Sequence, residues 1–526
     1  MAYYHDWYPA RIPRSSKIVR ALLMLTSIVT ATTLGYDSSM MNGLNILPSY
    51  TAYFNLSTTT TALNTASVWL GGCLSYVYSR VPDYIGRKWA LFYGAAITLV
   101  GVILQAASQN GAMFVAARII IGFGTGCTSI AVPVYLAETL PVEDRAWGLG
   151  LVYDAWYVGG LIAAGITYGT AKMQSTWAWR LPSLLQGLFS FMCIAILFWT
   201  PESPRWLQFQ GRTEEALLAL AQTHTNGDID DPKLQHHLRE IIDNLTFEHE
   251  HKPSSLITVA KDPSSRKRIF LACTVAVFSM LCGNNIVSYY LVGNMLDQAG
   301  ITDSTTQLEI NVCLNAWCLC VAIVGTFGAN LVGRKALAII STLGCGILLF
   351  VVGALTKVYG TSTYTPGIYG TVAAIFLFQG AYSFGWTPLS VIYPPEVLNY
   401  NIRSVGMGIY TFWSNGAGLL VTFAFPYALD SIGWKTYMIN GAWDLFQIAV
   451  VAWTWIETKG RTLEEIDEQI DGVQRQVITG IDPEHAMPVD EQHFIIDVDM
   501  KQATGAVVGL DARKQEIKVS VKAAMD

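Results

Sequence analysis

Charge is what this chain is short of. Only 14% of its 526 residues are Asp, Glu, Lys or Arg, where a soluble globular chain carries about 25%. That deficit argues against a soluble protein before any motif is read. With a net charge of −6, no basic surface is available and nucleic acid is not an expected partner. No C-x-x-C pair occurs, and Cys318-x-Cys320 has no histidine nearby. The nine cysteines (73, 127, 193, 273, 282, 313, 318, 320 and 345) lie inside or at the edges of apolar runs, so they read as packed membrane thiols. Histidine is missing from those runs: all eight lie in polar segments. Neither a metal centre nor an intramembrane histidine relay is expected, and no cofactor is implied. A cleavable leader is also not in evidence, because the first twenty residues are polar and basic and the run behind them ends without a small-residue cleavage site.

The chain is rich in long hydrophobic runs. A spanning helix needs roughly 20 mostly apolar residues. Twelve segments qualify, at 20–42, 64–82, 89–108, 112–133, 147–169, 180–200, 269–292, 310–331, 335–356, 368–392, 404–426 and 435–456. Ser, Gly and Tyr dilute segments 2 and 5. Lys and Arg are absent from residues 46–63 and 293–309, and the alternate connections carry Arg87, Lys88, Arg145, Arg334, Lys335 and Arg403. Basic loops stay cytoplasmic, so both termini are placed inside. The expectation is an all-α membrane protein of twelve helices, with the lipid bilayer as its environment. It divides into a cytoplasmic tail 1–19, a six-helix bundle 20–200, a polar cytoplasmic loop 201–268, a second six-helix bundle 269–456 and a cytoplasmic tail 457–526. In the loop, Glu214 to Leu220 reads as a short amphipathic helix. In the tail, Thr462-Leu463-Glu464-Glu465 reads as a helix start, and disorder is expected beyond about residue 475. Asn55-Leu56-Ser57 is a glycosylation sequon in a loop placed outside; Asn244-Leu245-Thr246 lies in the inside loop and should be silent.

A charged knot repeats. Asp83-Tyr84-Ile85-Gly86-Arg87-Lys88 separates segments 2 and 3, and Asn330-Leu331-Val332-Gly333-Arg334-Lys335 separates segments 8 and 9. The same knot in the same place of each half implies a duplicated unit. Two six-helix halves around a central site form the plan of many secondary transporters. No nucleophile–base pair or metal cluster supports an enzyme.

Further motifs then carry a family resemblance over roughly residues 18–470. They are Gly35-Tyr36-Asp37, Arg118-x3-Gly122-x3-Gly126, Pro133-x-Tyr135-x2-Glu138 with Arg145, Pro201-Glu202-Ser203-Pro204-Arg205-Trp206-Leu207, Tyr393-Pro394-x-Glu396 with Arg403, and Glu457-Thr458-Lys459-Gly460-Arg461. With the two knots, this set resembles the sugar-porter branch of the major facilitator superfamily. Trp156 to Gly160 and Ser288 to Leu291 are similar to the fungal lactose-permease and cellodextrin-transporter subgroup. The resemblance implies a two-half bundle with alternating access and a sugar as substrate, in the plasma membrane of a fungus. The energy source would be a proton gradient, and the protein a monomer.

Asp37 and Arg118 fall in segments 1 and 4. A charge in the bilayer core costs on the order of 3 kcal/mol, so such charges usually pair and face a cavity. The resemblance implies that Asp37 takes the coupling proton and that Arg118 tunes it; the alternative is a static pair joining the two helices. It likewise implies cytoplasmic latches that hold the two halves together: Asp83, Arg87, Glu138, Arg145, Glu202 and Arg205 in one cluster, and Asn330, Arg334, Glu396, Arg403 and Glu457 in the other. Topological anchoring by positive charge is the alternative. Asn330 stands where the first knot has Asp83, and neutral hydrogen bonds are roughly half as strong as charge-assisted ones. The second latch is therefore expected to be the weaker. For the substrate, positions matching the family are Asn285, Tyr289, Tyr290 and Trp386, with Tyr153, Gln379, Trp413 and Asn415 as neighbours; helix packing is the alternative for each aromatic.

Departures from the family pattern bear on substrate. Tyr153 stands where a Gln is usual, Ser279 and Met280 where one or two Gln are usual, and Phe425 precedes Pro426 where Asn is common. Losing hydrogen-bond partners should weaken binding of an ordinary hexose; the resemblance to the fungal subgroup implies a di- or oligosaccharide or glycoside ahead of a hexose. A less polar metabolite, imported or exported, and a non-transporting sensor are the other readings. Asp154 and Asp444 are further acids within segments 5 and 12, either of which could favour a cation, take a proton, or face water near a helix end.

Overall fold

The computed structural model describes residues 12–251, 262–290, 295–298, 300–360, 362, 364–398, 402–459, 466 and 469–470; for 142–153, 240, 243–251, 288–290, 298, 329–330 and 403–404 it describes the backbone alone. Among the described residues every regular element is helical. The long helices of the first half are α1 (Ser16–Leu44), α2 (Thr58–Leu74), α3 (Arg87–Ala106), α4 (Gly111–Thr139), α5 (Val142–Thr170) and α6 (Trp177–Leu197). Those of the second are α7 (Pro263–Leu281, resuming as Asn284–Tyr290), α8 (Ser304–Val332), α9 (Arg334–Tyr359), α10 (Thr365–Val397), α11 (Arg403–Ile432) and α12 (Lys435–Thr454). Seven of these, namely α1, α3, α4, α6, α8, α9 and α10, are long and apolar enough to cross a membrane.

Local chemistry starts several of them. Asn110 accepts the Met113 N–H at 2.9 Å, Asp262 that of Ser265 at 2.8 Å and Asp303 that of Thr306 at 2.8 Å, each satisfying a donor that the first helical turn leaves unpaired. Ser57 caps α2 in a reciprocal box with Thr60, so the hydroxyl of the sequon is engaged while Asn55 stays exposed, in a left-handed conformation. Segment 7 differs from the unbroken helix expected over 269–292. It stops at Leu281, turns through Cys282 and Gly283 (φ +91°), and resumes at Asn284.

The two halves pack alike. In the first, α1 lies on α5, α4 on α2 and α3, and α6 on α3; in the second, α7 lies on α11, α10 on α8 and α9, and α12 on α9. Between halves, α2 meets α11 and α5 meets α8. The α1–α5 crossing is close because both helices present glycine: a Cβ at Gly35 would sit 1.8 Å from the Trp156 carbonyl oxygen, and one at Gly159 would sit 2.1 Å from that of Thr32. Small residues at such crossings let apolar helices touch backbone to backbone. The connecting loop forms its own small core from Trp206, Leu207, Ala219, Leu220, Leu234 and Leu238. The expected amphipathic helix is Thr213–His224, with Glu214 and Glu215 in its first turn. The Ser16 N–H donates to Asn226 of this loop at 2.9 Å, and the Asn226 N–H returns a bond to the Ser16 hydroxyl at 2.6 Å. Thr462 to Glu465 and the tail beyond 470 lie outside the described residues.

Candidate functional site

Asp37 and Arg118 are brought together deep in the first half. Arg118 Nη1 lies 2.5 Å from Asp37 Oδ1, with both side chains buried. Gln186 of α6 donates to the same oxygen at 2.8 Å. The rest of the guanidinium is held by the carbonyls of Asn64 (3.1 Å) and Thr65 (3.4 Å) of α2. One carboxylate therefore joins α1, α4 and α6, while its cation anchors to α2. A buried pair of this kind stands only if its remaining donors and acceptors are satisfied, and Arg118 is satisfied by main chain that cannot leave. Gln186 was not singled out from the sequence; a lone carboxamide in the apolar run 180–200 was the available signal.

A second polar seam joins the halves. Asn42 Nδ2 of α1 donates to Asn311 Oδ1 of α8 at 3.3 Å and reaches the Val287 carbonyl in the resumed part of α7 at 3.5 Å. Asn315, one turn along from Asn311, donates to Ser39 at 3.4 Å, and its oxygen approaches Gly160, where a Cβ would lie at 2.4 Å. The Tyr157 hydroxyl of α5 is 2.7 Å from Ser383 and 3.2 Å from Thr387, both on α10. Thr326 of α8 donates to Asp154 of α5 at 3.2 Å. Within the second half, Gln379 Nε2 of α10 donates to Asn284 of α7 at 2.7 Å. Among the described residues, Asn311 Nδ2 and Gln379 Oε1 are buried without a hydrogen-bond partner. One is a donor and the other an acceptor, so each leaves a hydrogen-bonding capacity unused. Asn42, Asn311 and Asn315 were not singled out from the sequence, although the amides at i and i+4 of segment 8 were a readable signal.

The remaining expected substrate residues separate. Asn285 is buried after the α7 break, its amide 3.4 Å from the Met280 carbonyl. Asn415 lies at the α2–α11 crossing, its oxygen 2.3 Å from where a Gly72 Cβ would stand. Trp413 is half-exposed on α11 beside Phe412. Trp386 differs from the expectation. It is fully buried, its indole N–H donates to Thr342 of α9 at 3.1 Å, and its ring meets Trp455 edge-on. It packs α10 against α9 and the end of α12 instead of lining the seam. The side chains of Tyr153, Tyr289 and Tyr290 lie outside the described residues.

The charged knots form two matched clusters. In the first, Arg87 grips Glu138 with Nε at 2.8 Å and Nη2 at 3.1 Å. Glu202 Oε1 accepts the N–H groups of Arg87 (2.9 Å), Lys88 (3.0 Å) and Ser203 (2.9 Å). Ser203 Oγ also donates to Glu138. In the second, Arg334 grips Glu396 at 2.9 and 3.3 Å, and Glu457 accepts the N–H of Arg334 (2.7 Å), Lys335 (3.1 Å), Thr458 (3.1 Å) and Lys459 (3.1 Å). Thr458 plays the part of Ser203, donating to Glu396 at 2.6 Å. Each carboxylate caps the N-terminus of α3 or α9, where the helix dipole and free N–H groups favour an anion. Gly86 (φ +97°) and Gly333 (φ +100°) make this possible, since a Cβ would lie 2.5 Å and 2.8 Å from the respective carboxylate oxygens.

Two features differ from the latch expectation. Every described bond of a cluster stays within its own half; Arg145 and Arg403, at the starts of α5 and α11, have side chains outside the described residues, as does Asn330. Arg205 opens the short helix Pro204–Phe209. The second difference is in the carboxylates. Desolvation pushes Glu202 above the ordinary glutamate value despite its three N–H donors, and its Oε2 is buried without a partner. At Glu457, desolvation is outweighed by the N–H groups of Lys459, Arg334 and Lys335, and the group sits below the ordinary value. Asp83 is mostly exposed at 3.2 Å from Arg87, and exposed pairs contribute little.

A family model described as "Sugar (and other) transporter" matches residues 23–470. The chain is 29% identical over 458 residues to a high-affinity glucose transporter of Kluyveromyces lactis, covering 82% of each chain. It is 29% identical over 468 residues to the MFS glucose transporter mfs1 of Aspergillus flavus, covering 83% of this chain and 87% of that one. In structure it is similar to the major facilitator superfamily proton:xylose symporter XylE bound to 6-bromo-6-deoxy-D-glucose, with a TM-score of 0.72 at 21% identity, covering 86% of this chain and all of that one.

Proposed function

Because this chain belongs to the sugar transporter family of the major facilitator superfamily, we propose that it moves a sugar across the plasma membrane by proton symport, spanning the bilayer twelve times with both termini inside. The observation that carries this reading is the buried polar seam that joins α1 and α5 to α8 and α10, with Asn311 Nδ2 in it and Gln379 Oε1 within the second half both lacking a partner among the described residues. Sugar hydroxyls both donate and accept, so a sugar carries the complementary group for each. Asp37 is the coupling carboxylate. Protonation neutralises it and weakens its hold on Arg118 and Gln186, freeing α1 to shift against α4 and α6. An opposite charge favours the carboxylate, whereas separating the pair favours the acid, so proton uptake and helix movement favour one another.

Two substrate sizes have support. A di- or oligosaccharide or glycoside is supported by the resemblance of Trp156 to Gly160 and Ser288 to Leu291 to the fungal lactose-permease and cellodextrin-transporter subgroup; a hexose is favoured by the glucose transporters among the relatives. Uptake of a panel of labelled sugars into proteoliposomes, with and without an inward proton gradient, separates them. The wild type should accumulate its sugar with the gradient, and Asp37→Asn should keep exchange of sugar across the membrane but lose accumulation. Gradient-driven accumulation by Asp37→Asn would overturn the proton assignment. Sugar binding without flux would overturn transport itself and favour a sensor.

A further inference from the structure

We propose that Asp444 and Gln447 of α12 form a proton-binding site inside the second half, with Asp444 as the group that takes the proton. Both residues are fully buried, and neither oxygen of Asp444 nor either polar atom of Gln447 has a hydrogen-bond partner. They are one helical turn apart on one face. Asp444 lies over Gly346 of α9, where a Cβ would be 3.2 Å from its Cβ and 3.9 Å from its Oδ2. Its titratable neighbours are the thiols of Cys345 on α9 and Cys282 at the α7 break, and Tyr382 of α10 is electrostatically linked to both thiols. Of the charged groups on the helices around it, Asp430 of α11 accepts a bond from Thr58. Arg334, Lys335 and Lys357 of α9 and Lys435 of α12 sit in end turns, Arg266, Lys267 and Arg268 lie within the first six residues of α7, and Arg268 donates to the Val397 carbonyl at 3.1 Å. No cation among the described residues pairs with Asp444.

An unpaired carboxylate in a dry bundle is costly, and the usual response is to take up a proton. As an acid, Asp444 needs one acceptor, and a rotamer change of Gln447 supplies its carbonyl oxygen. The proton comes from water and returns to water, and no other group changes charge. The fold itself does not call for an acid here, since α6, which holds the corresponding place in the first half, has none. Position suggests what the proton does. One turn before Asp444 on α12, Asn440 holds the α7 break: with its amide turned to suit its neighbours, it donates to the Leu281 carbonyl at 3.0 Å and accepts the Gly283 N–H at 3.1 Å. Neutral Asp444 is compatible with the packed α7–α9–α12 contact, whereas the ionised form needs water admitted to it.

The test is infrared difference spectroscopy of the full chain in lipid, with no sugar present, so its outcome is independent of the transport reading. At neutral pH the wild type should show the C=O band of a protonated buried carboxyl that shifts in D2O. The band should vanish in Asp444→Asn, persist in Asp37→Asn, and move in Asp444→Glu, which keeps the acid and covers the case of a poorly folding Asn variant. A carboxyl region identical between wild type and both Asp444 variants would overturn the proposal.

Discussion

The two capping glutamates should respond unequally to neutralisation, although the sequence makes them look equivalent. Replacing either by Gln keeps shape and removes charge. At Glu457 both oxygens are in use, Oε1 by Arg334, Thr458 and Lys459 and Oε2 by Lys335. Glu457→Gln would turn an amide donor toward a donor, losing at least one charge-assisted bond, about 1.5–3 kcal/mol. At Glu202 all three N–H groups converge on Oε1 and Oε2 has no partner. Glu202→Gln keeps a carbonyl acceptor for the N–H groups and removes a charge that the site already disfavours, so the net cost should be under about 1 kcal/mol. The direct readout is hydrogen exchange at the amides the carboxylates protect. With about 1.4 kcal/mol per factor of ten, exchange at Arg334 and Lys335 should accelerate roughly ten- to a hundredfold in Glu457→Gln, and exchange at Arg87 and Lys88 less than about fivefold in Glu202→Gln. Linkage sets the pH signs. Glu202, raised by burial, contributes most to its cap at low pH and loses that contribution as pH rises through its elevated value. Glu457, lowered by its N–H donors, contributes above the ordinary glutamate value and loses that contribution as pH falls through its own. Equal acceleration at both caps, or a larger effect at Glu202, would refute the reasoning.

Two further outcomes follow from the geometry. Gly333→Ala combines a positive φ with a Cβ 2.8 Å from Glu457; it should cost on the order of 1–2 kcal/mol in backbone strain alone and lower thermal stability of the full chain beyond an exposed-helix Gly→Ala control. Trp386→Phe removes the bond to Thr342 at a buried site and should destabilise by about 1–3 kcal/mol while leaving the KM for sugar nearly unchanged. A large rise in KM without loss of stability would put the indole back in the substrate site.

The charged clusters show how far residue patterns reach. Gly86 and Gly333 each precede Arg-Lys and follow an apolar run, and that pattern, together with the family motifs, named Arg87, Glu138 and Glu202 with Arg334, Glu396 and Glu457 as two groups. Each member is local to a helix end, so its neighbours are constrained by chain geometry. Trp386 shows the limit. Its motif placed it on α10, but a helix has a full circle of faces, and which one meets the polar seam between the halves depends on how α10 rotates against α9 and α12. The break in α7 was missed because Cys282 and Gly283 interrupt hydrophobicity too little to register; only a positive φ held by Asn440, from a helix much later in the chain, reveals it.

The sequence by itself determined the class of this protein. Scarce charge, long apolar runs and the absence of Lys and Arg from 46–63 and 293–309 leave little but a helical membrane bundle, because unsatisfied backbone and unpaired charge are too costly in lipid. It also determined that Asp37 and Arg118 must find partners, for the same reason. Tertiary structure decided what no local rule encodes: that Gln186 completes the Asp37 pair, that Asn42, Asn311 and Asn315 form the seam, and that Glu202 and Glu457 sit in unlike surroundings. These depend on contacts between helices far apart in the chain, where a rotation of one helix by a single residue exchanges one set of partners for another.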